Sequence, residues 1–228
     1  MLQHIRLLIF DLDYLVFDCT HLKVQALRQG LISLADAIPQ DVRLPDAADA
    51  EEGFRDYGCR WTQHLEIGLG EESLEHLQQA YRLNEIRLVE AGAGGIFPGL
   101  EDLILTFRNR EVAAALGAEA SRDYLVSVAD RHQLDRLFQI SLCSEEFGAG
   151  SVDEMLEELM RYAEVNPSET LVLGTRPQFF QAAHDLDILT VGCGWGISRR
   201  QGLEEADLRS LTLTQLDSVI QKADDLAR

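Results

Sequence analysis

A chain of 228 residues, 46% of them hydrophobic, can bury a substantial core as one large domain or two smaller ones. Its formal net charge of -19 gives a surface that repels nucleic acid and anionic membranes. No apolar run approaches the roughly 20 residues that span a bilayer, and no basic flank with an apolar signal segment opens the chain, so the expected location is the cytoplasm.

The first element is a short apolar run at 5–10 that feeds a turn carrying Asp11 and Asp13. Such a run reads as a buried strand. Helical apolar spacing follows at 20–36 and again at 72–91, separated by a loop rich in Pro, Asp and Ala over 39–53. Gly and Pro98 mark 91–99 as a linker. Beyond it, strands are predicted at 112–117, 138–143, 170–174 and 188–194. Helices are predicted at 99–108, 121–132, 152–165, 177–186 and at the end of the chain. Ser121 stands where a helix N-cap is wanted.

Strands alternating with helices predict an α/β fold with a parallel sheet flanked by helices. The helical segments at 20–91 interrupt that alternation just after the first strand, and they read as a cap over the carboxyl edge of the sheet. Sites in such sheets lie just beyond the carboxyl ends of the strands. Asp11, Gly117 and Gly174-Thr175 all fall at such ends.

The stretches FDLDYLVFD at 10–18, IFPGLEDLILTFRNR at 96–110, MLEELMRYAEVNPSETLVLG at 155–174 and AAHDLDILTVGCGWG at 182–196 carry a family resemblance. Together they resemble the haloacid dehalogenase superfamily, in its phosphoglycolate phosphatase branch. The resemblance covers almost the whole chain. It implies a Rossmannoid core over 1–17 and 93–228, with an inserted helical cap of the C1 type over 18–92.

The resemblance also implies four chemical stations. The first Asp attacks phosphorus as nucleophile and the second acts as general acid and base. A Ser or Thr and a Lys grip the phosphoryl oxygens. Two further acids hold Mg²⁺ with the nucleophile, because a carboxylate approaches a phosphate dianion only once its charge is neutralised. Asp11 and Asp13 fit the first station as the catalytic pair, retained or vestigial, and Asp11 and Asp13 are also the candidate metal ligands. The neighbours depart from the pattern: Tyr14 stands for the family's Gly and Leu15 for its Thr.

The other stations are empty. No hydroxyl follows the second strand at Gly117-Ala118-Glu119-Ala120. Gly150-Ser151 replaces Lys-Pro, and no Lys occurs between Lys23, in the cap, and Lys222, in the last helix. Thr175 and Phe179 stand where Mg²⁺ carboxylates belong, and hard divalent cations want anionic oxygen. Candidate substrate-binding residues are Tyr14, Ser121, Thr175 and Arg176, although the planar fork of Arg does not simply replace an ammonium.

The expectation is therefore a pseudophosphatase with a binding or regulatory role, and a protein partner is possible. Its site would be partly plugged by aromatics, and Asp11 and Asp13 would face each other without a cation. At least one carboxyl would then be protonated or bonded to backbone. No cofactor is expected, and Mg²⁺ and a small phosphorylated substrate enter only if the chain is active. The alternatives are an active phosphoglycolate phosphatase-like phosphomonoesterase using Asp11 in a non-standard site, or Mg²⁺-independent chemistry at Asp11 such as dehalogenation. A structural reading stands beside these: both carboxylates could cap the strand-end turn through backbone N–H groups. Cys19, Cys59, Cys143 and Cys193 lack the short spacing of a metal cluster or disulfide scaffold, and they read as small buried thiols.

Overall fold

The computed structural model describes residues 2–34, 70–196 and 202–227. The loop read at 39–53 lies outside them, as does Cys59.

The strands are β1 (Leu7–Asp11), β2 (Phe17–Asp18), β3 (Gly95–Ile96), β4 (Ala113–Ala118), β5 (Ile140–Cys143), β6 (Thr170–Gly174), β7 (Leu189–Cys193) and β8 (Leu208–Ser210). The main helices are α1 (Thr20–Ser33), α2 (Glu71–Glu90), α3 (Leu100–Arg108), α4 (Arg122–His132), α5 (Val152–Ala163), α6 (Pro177–Asp185) and α7 (Leu216–Leu226). Six strands form one sheet in the order β5-β4-β1-β6-β7-β8, and every pairing in it is parallel.

The site is central because β1 is central. Leu7 to Phe10 pair on one side with Ala113 to Leu116 and on the other with Thr170 to Leu173. Successive side chains of a strand point to opposite faces. In β1, Leu8 and Phe10 accordingly join one apolar cluster while Leu7 and Ile9 join the other. Both faces are covered by helices, which is why these strands read as unbroken apolar runs.

β8, like the two-residue β2 and β3, has no counterpart among the predicted strands. Its three residues, Leu-Arg-Ser, are too few to show a period, and it is defined by pairing with β7. The predicted helices and strands otherwise shift by a few residues at their ends.

Between β2 and β3 the chain makes a helical insert. β2 and β3 pair antiparallel where the chain leaves and returns. α1 and α2 pack against each other, and α2 also packs on α4 of the core. α1 and α2 approach closely at Gly30, where a Cβ would lie 3.0 Å from Leu77.

Candidate functional site

Asp11 ends β1 and is fully buried. Its carboxylate is held at two points by Arg176, with Nε to Oδ2 at 2.9 Å and Nη2 to Oδ1 at 2.6 Å. The third arm of the guanidinium, Nη1, reaches Glu119 Oε2 at 2.8 Å. Arg176 precedes α6, whose first residue is Pro177, and is 2% exposed. The Phe179 ring lies beneath the guanidinium, 5.5 Å from centroid to Cζ, in a cation–π contact. Phe179 fits because β4 offers Gly117 there, where a Cβ would come within 3.2 Å of the ring.

Asp13 has a different cation. Lys23 Nζ of α1 lies 2.7 Å from Asp13 Oδ2, and the Tyr124 hydroxyl of α4 donates to Oδ1 at 2.9 Å. Lys23 also donates to Glu85 of α2 at 3.2 Å, and Tyr81 donates to the same Glu85 oxygen at 2.6 Å.

These contacts correct one expectation. Asp11 and Asp13 do not face each other without a cation; each has a buried cation from its own chain. Neither role is legible in the sequence: Lys23 falls in the insert, Arg176 suggests only a phosphate ligand, and Glu119 lies where the resemblance implies a hydroxyl. A signal for the burial of Lys23 is present, since Lys23, Ala26, Leu27 and Gly30 fall on one helical stripe of α1 and all are buried.

The remaining candidates are placed as follows. Tyr14 is buried and has φ 64°, a left-handed conformation strained for a side-chain-bearing residue. The backbone there wants glycine, and Tyr14 is held by packing in a core that includes Leu15, Phe17 and Trp195. Ser121 caps α4 by accepting from the Tyr124 N–H, so its hydroxyl serves the helix. Thr175 is fully buried, and its hydroxyl has no hydrogen-bond partner among the described residues. Ser151, where the resemblance implies Lys-Pro, caps α5 by accepting from the Glu154 N–H.

The residues present do not fit Mg²⁺. Both oxygens of Asp11 are occupied by a guanidinium, Thr175 offers a neutral hydroxyl, and Phe179 offers a ring. Among the described residues no group of three or more His, Cys, Asp or Glu is disposed to hold a metal ion. Asp13, the other candidate ligand, is tied to Lys23.

Charge in the site is close to its limit. Asp11, Glu119, Asp13 and Glu85 share two cations. Burial raises the Asp11 carboxyl to about 6, against the opposing pull of Arg176. Burial also raises Glu85, against Lys23 and Tyr81. Burial alone would lower Arg176 and Lys23, but their carboxylate partners hold both above their ordinary values.

The Asp11 shift has a definite sign for stability. Its folded pKa lies above the ordinary 3.8, so the folded state binds the proton more tightly. The stability it contributes is present below about pH 4 and is lost as pH rises toward 6. Melting temperatures of wild type and Asp11→Asn over pH 4–8 check this. The wild-type value is expected to fall relative to the variant up to about pH 6 and then to hold level. A rise instead would mean that Arg176 outweighs burial.

No family model matches the chain. It is 23% identical over 184 residues to the phosphoglycolate phosphatase of Synechococcus elongatus, covering 76% of this chain and 85% of that one. Solved structures share the fold at lower identity. A predicted phosphatase from Clostridium acetobutylicum superposes with a TM-score of 0.81 at 13% identity, covering 96% of this chain and all of that one. A predicted phosphoglycolate phosphatase from Haemophilus somnus gives 0.79 at 12%, again over 96% and 100%. CbbY from Rhodobacter sphaeroides, solved with phosphate, gives 0.75 at 14% over 93% and 96%.

Proposed function

From a chain with the haloacid dehalogenase-type α/β fold and a likeness to the phosphoglycolate phosphatase branch, we propose a pseudophosphatase, a protein that has kept the phosphatase scaffold for binding or regulation. The observation that carries this reading is the two-point grip of buried Arg176 on Asp11.

A carboxylate nucleophile needs a free oxygen lone pair directed at phosphorus and a cation that neutralises the phosphate as it arrives. Here both oxygens accept N–H bonds, and the cation is covalently part of the chain and already neutralised by Asp11 and Glu119. Asp13 is similarly committed to Lys23 and Tyr124. The same grip opposes attack of Asp11 on a carbon–halogen bond. In this reading the protein acts through its surface and its bound partners, not through turnover.

The test is hydrolysis of p-nitrophenyl phosphate and phosphoglycolate with Mg²⁺, comparing wild type with Asp11→Asn. Loss of even one preorganised group costs roughly 10²-fold in rate, so the two proteins are expected to be indistinguishable from background. Wild-type turnover well above the variant's would sink the proposal.

A further inference from the structure

We infer that Lys23 is a latch that holds the helical insert closed on the core. The inference is separate from whether the site turns over, and it rests on a different set of contacts.

The latch is a buried polar cluster that spans three parts of the chain. Asp13 belongs to the turn after β1, Tyr124 to core helix α4, and Lys23, Tyr81 and Glu85 to the insert helices α1 and α2. All five are buried, the most exposed being Lys23 at 8%. Among the described residues, the buried polar contacts between insert and core centre on one ammonium, beside the packing of α2 on α4 and the exposed Arg82–Glu145 pair. Lys23 Nζ spans Asp13 at 2.7 Å and Glu85 at 3.2 Å, and it lies 5.0 Å above the Tyr124 ring. Tyr124 completes Asp13 at 2.9 Å and Tyr81 completes Glu85 at 2.6 Å.

Such a cluster depends on its one cation. Closed, one cation serves two carboxylates out of water, and the remaining lone pairs accept from tyrosines. Removing the cation leaves Asp13 and Glu85 as two uncompensated acids facing each other across the joint. Opening then rehydrates both. A ligand-independent latch therefore keeps the insert shut over Asp13, whereas entry of any ligand to this face requires Lys23 to let go.

Cys19 reports the state of the latch. It is the residue preceding α1, fully buried, with a free thiol influenced by both Asp13 and Lys23. Cys193, buried at the end of β7 in the core, serves as the control for global unfolding. The experiment is alkylation of the full chain with iodoacetamide, read by peptide mapping, for wild type, Lys23→Met and the milder Tyr81→Phe. Exchange through local opening scales with the open population. Cys19 labelling is expected to rise about tenfold or more in Lys23→Met, an opening shift of ~1.4 kcal/mol, and less in Tyr81→Phe. Cys193 should stay at the wild-type rate in both.

Two outcomes overturn the latch. One is Cys19 labelling within about twofold of wild type in the folded variants, a shift below thermal energy. The other is Cys19 and Cys193 rising together, which would make the cluster a contributor to global stability only. If Lys23→Met does not fold, Tyr81→Phe decides by the same criteria. The readout is thiol exposure, so phosphatase turnover, if found, would leave it unaffected.

Discussion

Arg176→Met is expected to destabilise the protein by about 3–5 kcal/mol at pH 8, the cost of leaving a buried charge without its partner. Asp11 is fully buried and its only cation among the described contacts is Arg176. The variant keeps most of the side-chain volume, so the loss is electrostatic in the main. It should shrink at pH 5, where Asp11 can take up a proton instead of remaining charged. The second half of the prediction is rescue. In Asp11→Leu/Arg176→Met an apolar pair of similar volume replaces the ion pair, and such exchanges are often neutral or stabilising. Glu119, left without Arg176, has a 10% exposed side chain and can turn toward water. The double variant is therefore expected to be more stable than Arg176→Met alone by at least ~1 kcal/mol, a coupling normal for residues in contact. Guanidinium unfolding at the two pH values measures all three terms. A double variant no better than the single would show that Arg176 acts through packing and not through Asp11.

The cycle also bears on how much of this site can be read from sequence. The parallel sheet and the helical insert follow from apolar periodicity, because burial of both sheet faces leaves an unmistakable run such as Leu7 to Phe10. The departures from the resembled pattern are legible too, since the lack of a Lys between Lys23 and Lys222 and the Thr at 175 are properties of the string. The ion pairs formed in their vicinity are not. Arg176 follows Thr175 by one residue, and nothing in that spacing says that its side chain turns back across the sheet edge to Asp11, 165 residues away in sequence. The Lys23–Glu85 bond joins residues 62 apart and depends on how α1 crosses α2. Local pattern predicts elements; pairing between remote side chains depends on the docking of those elements. Tyr14 lies between these cases. Its departure from the Gly of the resembled pattern is visible in the sequence, and its φ of 64° is the left-handed conformation that glycine adopts most readily.

If Arg176 truly stands in for a metal, removing it and restoring one acid should return a cation site. Thr175→Asp/Arg176→Ser is expected to bind Mn²⁺ at least about tenfold more tightly than wild type, about 1.4 kcal/mol, with Mg²⁺ competing. The reasoning is one of donor supply. The double variant frees both oxygens of Asp11 and sets a second carboxylate beside it, at the end of β6 next to β1. Hard divalent ions select for that oxygen-rich arrangement. Thr175→Asp alone should bind no better than wild type, because Arg176 would neutralise the new acid along with Asp11. Phe179 is left in place, since its ring packs against Gly117 and Gly174 and its loss would open the core. Free Mn²⁺ followed by electron paramagnetic resonance during titration reads binding directly. Adding Asp11→Asn to the double variant should reverse the gain, which ties the ion to Asp11. Equal Mn²⁺ binding by wild type and the double variant would mean that the guanidinium does not exclude the ion. The proposal that Arg176 silences the site would then fall.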